Sequence, residues 1–313
     1  MLAIGQEALE PFSKQQNTGN CYEIFMILTI LRKMGLTNAE HEQMRSLMNT
    51  ITKANARSAK KIMALYENIL KIPVGTGVFY KGIKIIGLRN VTQDDGDGGT
   101  GDLILLLADG QEKSMSICQG SKARNGDIKK CLSNPSCKRY GCNDDDVAAI
   151  KEIASSAVTA YKAEMRARYG ENEDEWPGRV KTRAQTSATT AAALRAIDSF
   201  NRLLASQKKD VFEDLFRVKD GSKPADILCL VNKGCTSYSL FDINGINPSC
   251  ILEPRLESKG CFMQMYLGNL LVGETQVKFN NGVYHKGKTS SLTSSWNATA
   301  IMNKAFDLTP LSL

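Results

Sequence analysis

The run "LILLL", Leu103 to Leu107, is short, apolar throughout and sharply bounded. An acidic glycine stretch, "DDGDGGTGD" from Asp94 to Asp102, precedes it, and the turn pair Asp109-Gly110 follows. Five uninterrupted apolar residues between such signals predict a buried central strand, and a strand buried on both faces needs layers on both sides. The chain around it supplies them. "NCYEIFMILTILRKM" predicts a helix from Asn20 to Met34 stopped by Gly35, and a second helical segment runs from Thr37 to Lys71. β-like "GVFYKGIKIIGL" and "EKSMSICQG" flank the central run. Asp144 to Tyr169 has an acidic start and a basic end, as the helix dipole favours, and two more helical runs follow, "SATTAAALRAIDSFNRLLASQK" and "KDVFEDLFRVK". The last third returns to strands, "ADILCLV", "TSYSLFDI" and "CFMQMYL", then a hairpin "ETQVKFNNGVYHKG" turning at Asn281-Gly282. Helix, strands, helices, strands predicts a mixed α/β (α+β) chain with a central mixed sheet flanked by helices. The reading is one domain over 1–313, helical over 1–74, with strands over 75–142, a helical region 143–219 and a β region 220–313.

Lys plus Arg exceed Asp plus Glu by seven, which favours a polyanionic partner. The chain opens on no charged-then-apolar leader, and the longest apolar stretch, Ile24 to Leu31, is far short of a membrane span. These features predict a soluble, cytoplasmic protein with no membrane partner, whose nine cysteines are reduced thiols.

The acidic stretch fails as a calcium loop: counted from Asp95, the sixth residue is Thr100 where an EF-hand needs Gly, and the twelfth is Leu106 where it needs Glu. The GGxGxD roll pattern is missed too, and nothing repeats. Asp102 differs from its neighbours because it stands where loop becomes strand, so its carboxylate is held by the strand while facing open space. Mg²⁺ takes oxygen ligands, keeps waters and needs only one or two carboxylates beside a substrate phosphate.

Asp102 on "GDLILLL", followed after the Asp109-Gly110 turn by a strand ending in Gln119 and Lys122, resembles the D…(E/Q)xK core of restriction-endonuclease-like nucleases. Glu23 on the first long helix resembles the early helical Glu of many such enzymes, and "VKFNNGVYHKGKTSSLTSSWN" is similar to the β-ribbon that ends some type II restriction enzymes. The resemblance implies a restriction-endonuclease-like fold and a Mg²⁺-dependent, sequence-specific endonuclease of duplex DNA. In it, Asp102 and Gln119 hold the metal, Lys122 assists the attacking water and Glu23 supports the metal. A homodimer suits symmetric cutting of two strands. One departure stands out. Gln119 and Lys122 are three apart and share a strand face only across a bulge, as at Gly120, whereas the pair at spacing two is Ser116 and Cys118.

Lys122, Arg124, Lys129, Lys130, Lys138 and Arg139 interleave with polar residues in a pattern suited to phosphate contacts. In the terminal hairpin, Asn280, Asn281, Lys286 and Lys288 suit contacts in a DNA groove. Rival carboxylates are Asp226 in "SKPADILCLV", and Glu274 with Gln276 and Lys278 in "GETQVKF". Two further functions stay open: a catalytically inactive nucleic-acid-binding protein on the same fold, and a zinc-stabilised interaction protein around Cys131, Cys137 and Cys142. The spacing of those three lacks the tight pair typical of structural zinc.

Overall fold

The computed structural model describes residues 1–14, 20–91, 101–122, 126–132, 134–177, 180–216, 218, 223–246, 252–257, 260–279, 282–285 and 287–313, with the backbone alone at 121, 122, 252 and 285. In chain order the helices are α1 (Leu2–Leu9), α2 (Asn20–Met34), α3 (Asn38–Gln43), α4 (Arg45–Ala54), α5 (Ala59–Asn68), α6 (Asp144–Tyr169), α7 (Arg183–Asn201), α8 (Ala205–Phe216) and α9 (Met302–Ala305). The first strands are β1 (Phe79–Tyr80), β2 (Ile83–Asn90), β3 (Leu103–Leu107), β4 (Glu112–Lys122), β5 (Ile128–Cys131), β6 (Ile227–Val231) and β7 (Tyr238–Ile246). The rest are β8 (Leu252–Leu256), β9 (Phe262–Leu267), β10 (Leu270–Gln276), β11 (Tyr284–His285), β12 (Lys288–Thr289), β13 (Asn297–Ile301) and β14 (Phe306–Leu311). No helix among the described residues is long and apolar enough to cross a membrane.

The chain gathers into two compact units, each discontinuous in sequence: 1–130, 222–245 and 306–313 form the first, and 131–221 with 246–305 the second. Pattern changes along the chain mark where secondary structure switches; they carry no information on which distant segments pack together, so the sequence reading of one continuous domain does not anticipate this division.

In the first unit β3 lies between β2 and β4, both antiparallel to it. β6 runs parallel to β4 on the other side, and β7 is antiparallel to β6. The parallel pair demands a long crossover, and residues 131–221 intervene between these segments of the unit. The sheet is therefore mixed. Leu103, Leu105 and Leu107 are buried while Ile104 and Leu106 are half-buried, so the apolar run alternates in depth. α2 is buried from Ile24 to Arg32, in one core with Met115, Ile117, Cys229 and Val231 of the sheet. Its carbonyl end is closed from outside the helix: the N–H groups of Gly75 and Gly77 donate to the carbonyls of Arg32 and Lys33 at 3.0 and 3.1 Å. A Cβ on Gly75 would lie 2.1 Å from the Lys33 carbonyl oxygen, so only glycine permits that approach.

The segment read as one helical stretch after Thr37 is broken into α3, α4 and α5. Thr37 caps α3 through a box in which its hydroxyl accepts from Glu40 N–H and Glu40 accepts from Thr37 N–H.

In the second unit β8, β9, β10 and β13 form an antiparallel sheet. Its core centres on Trp296, fully buried and stacked 5.7 Å from Tyr140. α6 keeps the predicted bounds, capped by Asn143 with Asp146 completing the box. The terminal hairpin differs from expectation: β10 pairs with β9 and β13, and Tyr284–His285 pairs with Lys288–Thr289. The residues after Gln276 do not continue the β10 ladder, and the Val277 N–H donates to Cys261 instead.

Candidate functional site

Asp102 stands one residue before β3, and the hairpin clamps it. Its N–H donates to the Met115 carbonyl at 2.8 Å and its carbonyl accepts from Val91 N–H at 3.2 Å. The carboxylate turns onto β4, where Oδ2 accepts from Ile117 N–H at 2.5 Å. That N–H lies past the last β3–β4 register pair, Leu103 opposite Met115, so the side chain serves a donor the ladder does not reach. Met115 and Ile117 are themselves buried in the core, which makes the anchor rigid. Gly101 lets the strand approach this closely: a Cβ there would meet the Met115 oxygen at 3.1 Å. The turn is closed by Asp109, whose Oδ1 accepts from Gln111 N–H at 3.0 Å, and by Gly110 at φ 83°.

Gln119, two residues beyond Ile117, is exposed and accepts a hydrogen bond at Oε1 from the Tyr22 hydroxyl at 2.6 Å. Tyr22 and Glu23 sit together in the first turn of α2, and Glu23 is 7% exposed. The helix N-terminus favours a carboxylate there. Three of the expected residues, Asp102, Gln119 and Glu23, thus belong to the β3–β4 hairpin and the helix packed on it.

Lys122 is placed differently from what the bulge would require. No register shift falls within either ladder of this stretch: Met115 to Gln119 pair with Ile227 to Val231 of β6, and Gly120 to Lys122 pair with Lys130 to Ile128 of β5. Neither ladder carries the shift that a shared face for residues three apart requires, and the Lys122 side chain lies outside the described residues. Gly120 has another reason to be glycine, since a Cβ there would lie 2.5 Å from the Leu230 side chain.

A different lysine reaches this stretch of β4. Lys130, expected as a phosphate contact, donates from Nζ to Ser116 Oγ at 2.5 Å. Ser116 is 7% exposed and directly precedes Ile117, the residue that holds Asp102. Ser116 and Cys118 are the pair at spacing two; the hydroxyl orients an ammonium that arrives from β5, and Cys118 Sγ sits 3.8 Å from the Cys229 carbonyl. Pattern reading on β4 alone could not find Lys130. The available signal was the short basic run after Gly126, which reads equally as a solvated loop.

The other expected contacts are dispersed. Lys129 is half-buried on β5 opposite Ser121. In the second unit, Lys138 pairs with Asp144 at 2.9 Å and Arg139 with Asp214 at 3.2 Å, so both cations already have acidic partners. Lys288 is exposed on β12. Arg124, Asn280, Asn281 and Lys286 lie outside the described residues, as does most of the acidic stretch before Asp102, residues 94–100. The rival Asp226 is a structural tie. It accepts from Ser114 N–H at 2.9 Å and pairs with Lys223 at 2.8 Å; burial pushes its carboxyl up, but Lys223 and the Ser114 donors outweigh it and hold the group below the usual range. Cys131 is exposed while Cys137 and Cys142 are buried, and His41 lies stacked on Tyr66. Among the described residues no three His, Cys, Asp or Glu side chains come together as a metal-holding group.

Fold and site together define a mixed α/β protein whose β4 holds the Asp102 carboxylate on the Ile117 N–H and the Lys130 ammonium on Ser116, with Gln119, bonded to Tyr22, on the opposite face from Ser116. No protein-family model matches the chain, and no curated protein or solved structure matches it.

Proposed function

We propose that the chain is a Mg²⁺-dependent endonuclease of duplex DNA, restriction-endonuclease-like in fold, with its site on the β3–β4 hairpin of the first unit. One observation carries this reading: the Asp102 carboxylate and the Lys130 ammonium are anchored on adjacent residues of β4, Ile117 and Ser116. The donor set suits a hard cation, since Asp102 offers a carboxylate and Gln119 an amide oxygen, with substrate phosphate and water left to complete the shell. A bound Mg²⁺ would supply polarisation of the phosphoryl oxygen and a more acidic water.

The chain's own residues do the rest. Asp102 is held in place by Ile117 N–H, so its orientation is set before substrate arrives. Tyr22 fixes the Gln119 amide with its oxygen toward the hydroxyl. Lys130, steered by Ser116, is the group that stabilises charge on the attacked phosphate or orients the water, the role the resemblance assigned to Lys122. Glu23 supports the site from α2.

Digestion of mixed-sequence plasmid DNA with Mg²⁺ or Mn²⁺ tests this. The expected result is discrete fragments, with Asp102→Ala and Lys130→Met each reducing cutting by roughly a hundredfold or more. Cutting by Asp102→Ala at the wild-type rate, or wild-type protein that only shifts DNA, overturns the reading.

A second reading is favoured by the absence of three metal-holding side chains among the described residues and by Cys118 on β4. It makes the protein a nucleic-acid binder on this scaffold without catalysis. Salt-sensitive binding with no cleavage in any divalent metal would be its signature.

A further inference from the structure

Cys21 opens α2 and Cys235 lies in the turn between β6 and β7, each 3% exposed in the core of the first unit. Though 214 positions apart in sequence, they touch: Cys235 Sγ lies 3.9 Å from the Cys21 carbonyl. The turn that presents Cys235 is held independently. Its N–H donates to the Asn232 carbonyl at 2.9 Å, and the Asn232 side chain accepts from Thr236 N–H at 2.8 Å. Cys235 itself sits at φ 51°, a left-handed conformation uncommon for a residue with a Cβ. Lys61 of α5 closes the cluster, with Nζ bonded to the Lys233 carbonyl at 2.9 Å and 4.6 Å from the centre of the Tyr22 ring. Its ammonium is thus beside the chain neighbours of both cysteines.

That arrangement separates the two sulfurs chemically. The Cys235 thiol hydrogen bond and the Lys61 charge bring the Cys21 thiol down to about 6, against the opposing effect of burial. Cys235 is pushed up, first by its hydrogen bond to Cys21 and then by burial. A thiol held low in contact with one pushed up is the disposition of an attacking and a resolving cysteine.

We propose that Cys21 and Cys235 form a peroxide-reactive thiol pair, with Cys21 the modification site, Cys235 the resolving thiol and a small hydroperoxide the oxidant. The Cys21 thiolate attacks the distal oxygen of the hydroperoxide; an S–O bond forms, the O–O bond breaks, and the alkoxide or hydroxide takes up a proton and leaves as alcohol or water. Cys235 then gives up its proton and attacks the Cys21 sulfur. The S–S bond forms, the S–O bond breaks and water leaves. Two electrons pass from the two thiols to the peroxide, and a dithiol reductant reverses the change. The bond ties the first turn of α2, which carries Tyr22 and Glu23, to the β6–β7 turn. This chemistry uses neither Asp102 nor DNA and stands apart from the nuclease reading.

The test is treatment of the fully reduced, full-length protein with one equivalent of hydrogen peroxide, alkylation of remaining thiols and non-reducing peptide mapping. The first disulfide is expected between the Cys21 and Cys235 peptides, lighter by two hydrogen atoms than the reduced pair. In Cys235→Ser, dimedone should label Cys21 as a sulfenic acid. Lys61→Met leaves both sulfurs in place, so it keeps the test open if a serine unfolds the core. It should slow the first step by roughly tenfold, because less of Cys21 is thiolate near neutral pH. First oxidation at Cys131 or between Cys137 and Cys142, with Cys21 still alkylated, overturns the proposal, as does an unchanged rate in Lys61→Met.

Discussion

Ser116 shows how one side chain can set the chemistry of a site without touching a substrate. Its hydroxyl is nearly buried and takes the Lys130 ammonium at 2.5 Å, while the next residue's N–H holds Asp102. Removing that oxygen leaves Lys130 free to swing along the strand edge. Ser116→Ala is expected to cost about 1 kcal/mol of stability, the net worth of one charge-assisted bond partly repaid by water. It should also lower DNA cutting by roughly tenfold through misplacement of the ammonium. Urea unfolding and the plasmid assay read the two effects separately; a full loss of cutting with unchanged stability would mean that Ser116 acts directly on substrate. Asp102 was recognisable from its junction with an apolar run. Lys130 was not, because only pairing of β5 with β4 brings it near Ser116.

At the scale of elements, α6 and α7 are joined by a charge. Asp146 is 1% exposed, accepts from Arg195 at 2.7 Å and Arg202 at 2.8 Å, and completes the capping box of α6. Burial pushes its carboxyl up, yet the hydrogen bonds from Ser199, the Asn143 backbone and the two arginines outweigh burial and hold it below the usual range. With the folded-state value depressed, the unfolded chain binds the proton more readily. The stabilisation is therefore complete above the ordinary carboxylate value and is lost as pH falls through about 4 and below. Asp146→Asn keeps the shape but not the charge. It should cost about 1–2 kcal/mol at pH 7, less than a fully buried pair because both arginines are partly exposed. Its stability should also fall less steeply than the wild type's between pH 5 and roughly 3. Parallel slopes in acid titration of the two proteins would refute this account. The helix itself was legible: three acidic residues at its start and two arginines in its last turn mark its bounds. Its arginine partners, one on α7 and one just past its end, 49 and 56 positions away, were not.

For the whole molecule, the first unit is assembled from three chain segments, and the last is short. β14 pairs with β7, Phe306 is 1% exposed, and Lys33 at the end of α2 donates to the Leu313 carbonyl at 2.8 Å. Truncation after Ala305 should cost about 3–5 kcal/mol, the order of emptying a buried aromatic site, and lower the thermal midpoint by roughly 10 °C. A midpoint within a degree of the full chain's would show that β14 is dispensable. Secondary structure was readable wherever a local signal decides it: the Asn20–Met34 and Asp144–Tyr169 helices, the Leu103–Leu107 strand and the Asp109-Gly110 turn follow from periodicity, caps and turn chemistry alone. The class of the fold followed from their order. The assembly of the first unit from segments before, between and after those of the second did not, nor did the parallel β4–β6 pair, the arrival of Lys130 at Ser116 or the meeting of Cys21 with Cys235. Each joins residues that share no local pattern, and each is selected by the burial of apolar faces and the pairing of strand edges across the folded chain, which a reading along the sequence cannot weigh.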